Sequence, residues 1–323
     1  KKGANVVGEI RSRNREYRDE YIGIGAHFDH IGLGGPGSGS RKPDSVQIHP
    51  GADDNASGTA GLLELAEKLS SNKNRLKRSF LLVGFDAEEK GLLGSKHFVE
   101  NSPVDMKDIV SMINMDMIGR MSDSSFTVGG VGTSPSFELL LDSLKTNRPF
   151  EIIMDKPGFG PSDHASFYIK DIPVLFFFSG IHDDYHTPLD TWQLINLRGE
   201  KHILDFIYDV VFDLSRSPMR PIFQEAGPKN KQMGSPRRFS VTLGIMPSYT
   251  SLKKGLEIDG ISKSDGPAAK AGMKKGDVIK SINNKPISNI YEYMDRLSDL
   301  KSGMTIPVVI ERDEQEKVLQ VTF

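Results

Sequence analysis

The sequence predicts an α/β protein with a doubly wound, mostly parallel sheet and helices on both faces, followed by a small, mainly β domain. In residues 1–216 short apolar segments alternate with amphipathic ones, which is the pattern of repeated β-α-β units. Residues 217–238 are rich in Pro, Gly, Lys and Arg and lack an apolar period, which is typical of a linker. In residues 239–323 short strand-like runs dominate. We therefore predict a first domain at 1–216, a linker at 217–238 and a second domain at 239–323.

The apolar runs of the first domain have the length of buried strands rather than of helices. Four of them are predicted to lie in the sheet: Tyr21–Ala26, Phe80–Phe85, Ile109–Met115 and Pro173–Phe178. A helix is predicted to follow Ser57, which we interpret as its N-cap, because leucines recur there on one face. A second amphipathic helix is expected from Asn196 to about Ser215.

The second domain is predicted to consist of short strands around one or two short helices. Its strand candidates are Val241–Leu243, Leu256–Ile261, Asp277–Ile282, Thr305–Glu311 and Val318–Phe323.

Composition excludes several classes of partner and site. The 323 residues carry a formal charge of −2 and contain no run of five Lys or Arg, which argues against nucleic acid as a partner. No apolar segment approaches the roughly 20 residues that span a bilayer, so no transmembrane segment is expected. Cysteine is absent, which excludes disulfides and thiolate zinc sites and leaves metal binding to histidine and carboxylates.

Polar groups follow each of the four predicted strands. His27 follows the first strand, Asp86-Ala87-Glu88-Glu89 follows the second, Asp116 ends the third, and Tyr185-His186 follows the fourth. Ligands of doubly wound sheets bind beyond the carboxyl ends of the strands, so we expect these side chains to converge.

The charges of these groups favour a site for two metal ions. Three crowded carboxylates, Asp53, Glu89 and Asp116, would repel one another and raise their pKa values. Two divalent cations would remove that repulsion, with a bridging hydroxide balancing the charge and two imidazoles completing the ligand shells. Carboxylate and imidazole ligands suit two Zn²⁺ per chain, with Co²⁺ or Mn²⁺ as substitutes.

Six segments, taken in this order, resemble the di-zinc aminopeptidase family, which includes secreted bacterial aminopeptidases and glutamate carboxypeptidases. They are AHFDH (26–30), HPGADDNASG (49–58), FDAEEKGLLGS (85–95), NMDMIG (114–119), PSDHASF (161–167) and DYHTPLD (184–190). The resemblance covers roughly residues 5–215 and implies the zinc exopeptidase fold. It implies five metal ligands: His27, Asp53, Glu89, Asp116 and His186.

The same resemblance assigns further roles. Asp53 bridges the two ions, and the peptide bond from Asp53 to Asp54 is cis. Glu88 is the general base, and Asp29 orients the imidazole of His27. Asp54 and Asp163 are expected next to the ligands, with Asp163 either contacting substrate or making a structural hydrogen bond.

One position departs from the family pattern. Some members carry a tyrosine where this chain has Phe159, so either another donor, Tyr185 or the backbone near Gly160, stabilises the tetrahedral intermediate instead, or the rate is lower. The other histidines are interpreted mostly as structural or exposed: His30, His49, His97, His164, His182 and His202. His30 forms an HxxH pair with His27, but it is expected in a turn rather than on a helix.

The second domain resembles PDZ domains of bacterial proteases. The resemblance lies in the segment Leu243, Gly244, Ile245 and Met246 with Pro247, in residues 266–287, and in Gly303. It implies that a loop and strand edge bind a C-terminal peptide, with the alternative that the domain only braces the first one.

Together these features predict an exopeptidase that removes residues from peptide N-termini. A carboxypeptidase, a single-zinc glutaminyl cyclase and an inactive peptide-binding scaffold remain as alternatives. Because the chain opens with Lys1 rather than methionine, we expect that an upstream segment has been removed. A secreted, periplasmic or cell-envelope location is expected, although no signal peptide is visible.

Overall fold

The computed structural model describes most of the chain and divides it into two compact units, residues 1–231 and 232–323. The described residues are 2–42, 44–122, 124–227, 229, 241–247, 253–263, 265–288, 292, 293, 296, 297 and 299–323. Much of the predicted linker, residues 228 and 230–238, therefore lies outside the described residues. Among the described helices, none is both long and apolar enough to cross a bilayer.

The first unit is built on a seven-stranded sheet. Its strands are β1 (Val6–Ile10), β2 (Tyr21–His27), β5 (Ser79–Phe85), β6 (Ile109–Met115), β7 (Ser125–Gly129), β8 (Glu151–Met154) and β9 (Val174–Phe178). Their order across the sheet is β1-β5-β2-β6-β9-β7-β8. The four central strands β5, β2, β6 and β9 run parallel. Strands β1 and β7 are antiparallel to their neighbours β5 and β9. A separate pair, β3 (Gly32–Gly34) and β4 (Val46–His49), follows β2.

Helices cover both faces of this sheet. They are α1 (Gly58–Ser71), α2 (Leu93–Glu100), α3 (Pro135–Lys145), α4 (His164–Tyr168) and α5 (Leu197–Arg216). Apolar side chains of α1, α3 and α5 form one core with the sheet, and those of α2 and α4 form a second core. The predicted fold class and the four predicted central strands are confirmed. Both faces of these parallel strands are buried, which is why their sequences are largely apolar.

The helix ends agree with the predictions only in part. The side chain of Asn196 accepts a hydrogen bond from the Gly199 amide at 3.0 Å, as expected of an N-cap. Ser57 stands at the N-cap position of α1, as predicted, but its side chain does not cap the helix: the hydroxyl donates to the Asp53 carbonyl, and Asn55 Oδ1 accepts from the Gly58 amide at 3.0 Å instead.

The second unit is a small β domain around its own core. Its strands are β10 (Ile245–Pro247), β11 (Leu256–Ile261), β12 (Val278–Ile282), β13 (Lys285–Pro286), β14 (Thr305–Arg312) and β15 (Gln315–Thr322), with a short helix α6 (Pro267–Lys270). Strands β14 and β15 form a hairpin whose turn, Asp313–Glu314, has positive φ at both residues, as type I′ turns require. The strand predicted at Val241–Leu243 is not formed; the first described strand begins at Ile245.

Candidate metal centre

The polar groups predicted at the strand ends lie at one edge of the sheet. His27 is the last residue of β2, and Asp116 follows β6 directly. Glu88 and Glu89 lie in the turn after β5, and His186 lies in the loop after β9. Because these four strands are parallel neighbours, their carboxyl ends bring residues from four distant parts of the sequence together.

A first group of donor atoms surrounds His27, which is almost completely buried. Its Nε2 lies 3.3 Å from Asp116 Oδ1 and 3.4 Å from Asp54 Oδ1. Its Nδ1 lies 3.1 Å from the backbone carbonyl of Asp29 and can donate to it. That hydrogen bond fixes the tautomer and leaves the Nε2 lone pair directed at the carboxylates.

A second group lies on the other side of Asp54. His186 Nε2 is 3.0 Å from Asp54 Oδ2 and 3.2 Å from Glu89 Oε1. The Nδ1 of His186 can donate to the Gly39 carbonyl at 3.1 Å, which repeats the arrangement found at His27. His30, Asp54 and Glu89 also place one donor atom each within 4.8 Å of one another. The two carboxylate oxygens of Asp54 thus face different imidazoles.

The carboxylate between the groups is that of Asp54, which corrects the assignment of the bridging role to Asp53. Asp53 Oδ1 accepts hydrogen bonds from the Gly119 amide at 2.7 Å and the Ser57 hydroxyl at 3.0 Å. Its Oδ2 lies 3.2 Å from His182 Nε2. Asp53 is therefore turned away from the donor groups. The cis peptide bond likewise joins Asp54 to Asn55, one residue later than expected.

Two side chains that the sequence analysis missed hold this loop in place. Asp190 Oδ2 accepts from the amides of Asp53 at 3.0 Å and Asp54 at 3.1 Å. The Asn55 side chain donates to the Met115 carbonyl at 2.9 Å and accepts from the Met117 amide at 3.1 Å. Asn55 thus forms hydrogen bonds to the backbone on both sides of Asp116. Both residues stand inside the family-like segments, but their partners are too distant in sequence to be inferred.

The electrostatics of the cluster match what a cation site needs. Burial alone lowers the pKa of His27, but Asp116 reverses this and brings the pKa well above its ordinary value. Burial likewise opposes protonation of His186, yet the adjacent carboxylates of Asp54 and Glu89 raise its pKa to about 10. Burial favours the neutral form of Asp54, but His186 and His27 hold its pKa far below the ordinary range.

These shifts mean that positive charge at the neighbouring donor atoms stabilises the ionised carboxylates. Moreover, Asp54 Oδ2 and Glu89 Oε1 are buried and have no hydrogen-bond partner among the described residues. Divalent cations would satisfy both atoms and would replace the protons on the imidazoles. The side chains therefore fit metal ions bound by carboxylate and imidazole.

Glu88 stands beside this cluster without belonging to either donor group. Burial raises the pKa of Glu88 well above its ordinary value; the charge on His27 opposes this, and those on Asp116 and Asp163 add to it. The Asp29 carboxylate accepts from the backbone amides of Glu88 at 2.9 Å and Glu89 at 3.3 Å. Asp29 therefore positions the turn, while its backbone carbonyl, rather than its carboxylate at 3.7 Å, lies closest to His27 Nδ1.

The second unit presents the predicted peptide-binding loop at a sheet edge. Gly244 has φ of 78°, a conformation that side chains disfavour, and its carbonyl accepts from the Ser262 amide at 2.9 Å. The Leu243 carbonyl accepts from the Ala268 amide at 2.9 Å. Ile245 and Met246 begin β10, which in the described part of this unit pairs only with β11.

Comparison with known proteins agrees with this architecture. Residues 5–211 match the model of peptidase family M28, and residues 243–323 match that of the PDZ domain. The chain belongs to peptidase family M28. The predicted membership of a zinc aminopeptidase family, with a C-terminal PDZ domain, is thereby confirmed.

Two relatives that match about two thirds of this chain are named as aminopeptidases, and a third, shorter match is to a serine endoprotease. Aminopeptidase YwaD of Bacillus subtilis (strain 168) is 27% identical over 227 residues, 67% of this chain and 46% of that protein. The crystal structure of BSAP, a zinc aminopeptidase from Bacillus subtilis, is 25% identical with a TM-score of 0.54, covering 69% of this chain and 53% of that one. Serine endoprotease DegS of Escherichia coli (strain K12) is 42% identical over 70 residues, 22% of this chain and 19% of the other. The chain thus spans about half the length of the aminopeptidases it matches.

Two further residues of the M28 domain lie at the site, the buried Asp163 and the partly buried Tyr185. Asp163 precedes α4 and is fully buried, which raises the pKa of its carboxyl to about 7. The ring of Tyr185 stacks on that of His186, with centroids 3.8 Å apart. Burial and the charges on Asp54 and Glu89 raise the pKa of Tyr185 well above its ordinary value, so its phenol stays protonated and can donate a hydrogen bond.

Proposed function

We propose that the chain is an aminopeptidase that hydrolyses the N-terminal peptide bond of peptides and binds two zinc ions at the two donor groups. The main support is the shared carboxylate of Asp54, whose two oxygens face His27 and His186 at 3.4 and 3.0 Å. Paired metal sites of peptidases place ions about 3.5–4 Å apart, a spacing that one bridging carboxylate suits. The similarity of the M28 domain to BSAP, a zinc aminopeptidase, also supports this choice of metal.

The residues around the cluster have separable roles in this reaction. Zinc, when bound, would lower the pKa of a water molecule and polarise the scissile carbonyl. Glu88 accepts the proton of the attacking water and delivers it to the leaving amine. Asp29 holds the turn that carries Glu88, because its carboxylate accepts from the Glu88 amide at 2.9 Å. Tyr185 is protonated and can donate to the developing oxyanion, the role left open by Phe159.

The alternatives have less support. A glutaminyl cyclase with one zinc would leave one of the two donor groups without a cation. An inactive scaffold would be expected to lack donors, whereas each group here has at least three. A carboxypeptidase has the same metal requirement, so the N-terminal specificity rests on the similarity to proteins named aminopeptidases. The location outside the cytoplasm stays a prediction.

For the PDZ domain, we propose binding of a peptide C-terminus. The edge of β10 that has no partner strand among the described residues can accept an added strand, and the backbone at Gly244 can turn amides toward a terminal carboxylate. Peptides ending in a free carboxylate, compared with the same peptides amidated at the C-terminus, would test this by calorimetry. Equal binding of both would contradict it.

The activity is tested with chromogenic aminoacyl substrates and their N-blocked counterparts. We expect turnover of the free-amine substrates only, its loss on chelation, and its return on addition of Zn²⁺. Preference for substrates with a free C-terminal carboxylate would instead identify a carboxypeptidase.

Glu88→Gln separates proton transfer from metal binding. Because Glu88 lies outside both donor groups, we expect turnover to fall by at least about 10²-fold while the metal content stays near that of the unaltered chain. Glu89→Gln, one residue away, is the matched control and should lose metal. Loss of metal from the Glu88 variant would make Glu88 a ligand and contradict its role as the base.

A further inference from the structure

His30 is the one histidine of the AHFDH segment for which the sequence analysis gave no role at the site. Its side chain is 10% exposed, and neither ring nitrogen has a hydrogen-bond partner among the described residues. Nδ1 nevertheless lies 2.9 Å from Glu89 Oε1 and 3.7 Å from Asp54 Oδ2. A buried imidazole without a partner is costly unless another group satisfies it.

The spacing of the donor atoms explains what that group is. The four separations that join His30 and His186 to Asp54 and Glu89 are 2.9, 3.7, 3.0 and 3.2 Å. Ligands at the zinc distances of about 2.0–2.2 Å, arranged as a tetrahedron, lie about 3.3–3.6 Å from one another. His30, Asp54 and Glu89 each place one donor atom within 4.8 Å of the other two, and His186 Nε2 contacts the same two carboxylates, so all four side chains adjoin one pair of carboxylate oxygens that have no hydrogen-bond partner among the described residues.

The ring of His30 is also held in position. Gly51, at the start of the loop that carries Asp54, has φ of 61°, and a Cβ there would lie 2.6 Å from His30 Cγ. Only a glycine leaves room for the imidazole at this point. On the other side, the rings of His30 and His186 meet edge to face with centroids 5.7 Å apart.

We propose that His30 is a metal ligand through Nδ1, so that one position has four protein donors, from His30, Asp54, Glu89 and His186. The other position has three, from His27, Asp54 and Asp116. This inference rests on the proposed metal-dependent function. Its consequence is an unequal pair of sites, in which the four-donor position fills first and the three-donor position retains room for water and substrate.

Calorimetric titration of the metal-free full chain with Zn²⁺ tests the unequal pair. The unaltered chain should bind two ions in two steps, and His30→Gln should weaken one step by at least about 100-fold while the other changes less than tenfold. A smaller loss, of the size that an outer-shell partner gives (about 10–100-fold), would overturn the ligand role. His97→Gln, which removes an exposed imidazole, is the matched control and should bind like the unaltered chain.

His30→Cys gives a readout that a merely structural role would not produce. The sequence has no other cysteine, and a thiolate reaches an ion from Cβ about as far as Nδ1 does. Loading this variant with Co²⁺ should produce a sulfur-to-cobalt charge-transfer band, and its absence in a folded, cobalt-loaded variant would overturn the proposal. Binding of fewer than two ions by the unaltered chain would count against the two-zinc function, whereas the thiolate band reports on His30 alone.

Discussion

Exchanging the carboxylates of Asp53 and Asp54 for amides, one at a time, tests which of two adjacent acids holds the metal. In the unaltered chain the two carboxylate oxygens of Asp54 lie 3.4 Å from His27 Nε2 and 3.0 Å from His186 Nε2. Asp54→Asn replaces this carboxylate by a neutral amide with a single oxygen. Since loss of an outer-shell partner alone costs about 10–100-fold in metal affinity, loss of a shared ligand should exceed 100-fold at each position. That factor corresponds to about 3 kcal/mol per ion.

Asp53→Asn should behave differently because its carboxylate serves the protein backbone. The amide oxygen of Asn can still accept from the Gly119 amide and the Ser57 hydroxyl, now 2.7 and 3.0 Å from Asp53 Oδ1. The charge and the contact of Oδ2 with His182 Nε2 at 3.2 Å are lost, so the free energy of unfolding should fall by about 1–3 kcal/mol. Metal affinity should stay within about tenfold of the unaltered value.

The assay is metal content after equilibration in a zinc-buffered solution, together with urea unfolding of the metal-free proteins. Asp213→Asn, at an exposed position of α5, controls for the change in net charge. If the Asp53 variant emptied the site while the Asp54 variant kept its zinc, our assignment of the bridging carboxylate would be refuted.

Two further predictions concern the support of the site. Asp190→Ala leaves the buried amides of Asp53 and Asp54 without an acceptor, so the free energy of unfolding in urea should fall by about 2–6 kcal/mol. Asp190→Asn keeps an acceptor oxygen and should lose less. Equal losses in the two variants would argue against these hydrogen bonds. Burial and then Asp53 raise the pKa of Glu200 to about 7, so the folded state holds a proton that the unfolded state releases near pH 4.5. Stability should therefore fall as the pH rises from about 4.5 to 7, by about 3 kcal/mol, and Glu200→Gln should abolish this loss while the exposed Glu67→Gln should not.

The fold and most of the donor set could be predicted because they depend on strand order and strand ends. Apolar runs of strand length predict the parallel strands, and the residues that follow each run lie at the same edge of the sheet. His27, Glu89, Asp116 and His186 were identified in this way, and the structure brings all four together. The prediction of a strand at Val241–Leu243 failed because a segment of three residues is too short for its alternation to distinguish a strand from an extended segment that leads into one.

The sequence by itself thus determined the two-part organisation, the sheet and the chemical type of the site, since these follow from apolar periodicity and from which side chains end the strands. Only the tertiary structure decided that Asp54 rather than Asp53 faces the imidazoles of His27 and His186, and that His30 lies beside the carboxylates of Asp54 and Glu89. Adjacent residues of an irregular loop point in different directions, and the direction of each is set by partners such as Asp190 and Gly119, more than sixty residues away. No local pattern contains those partners, so the loop sequence alone could not have distinguished the two acids.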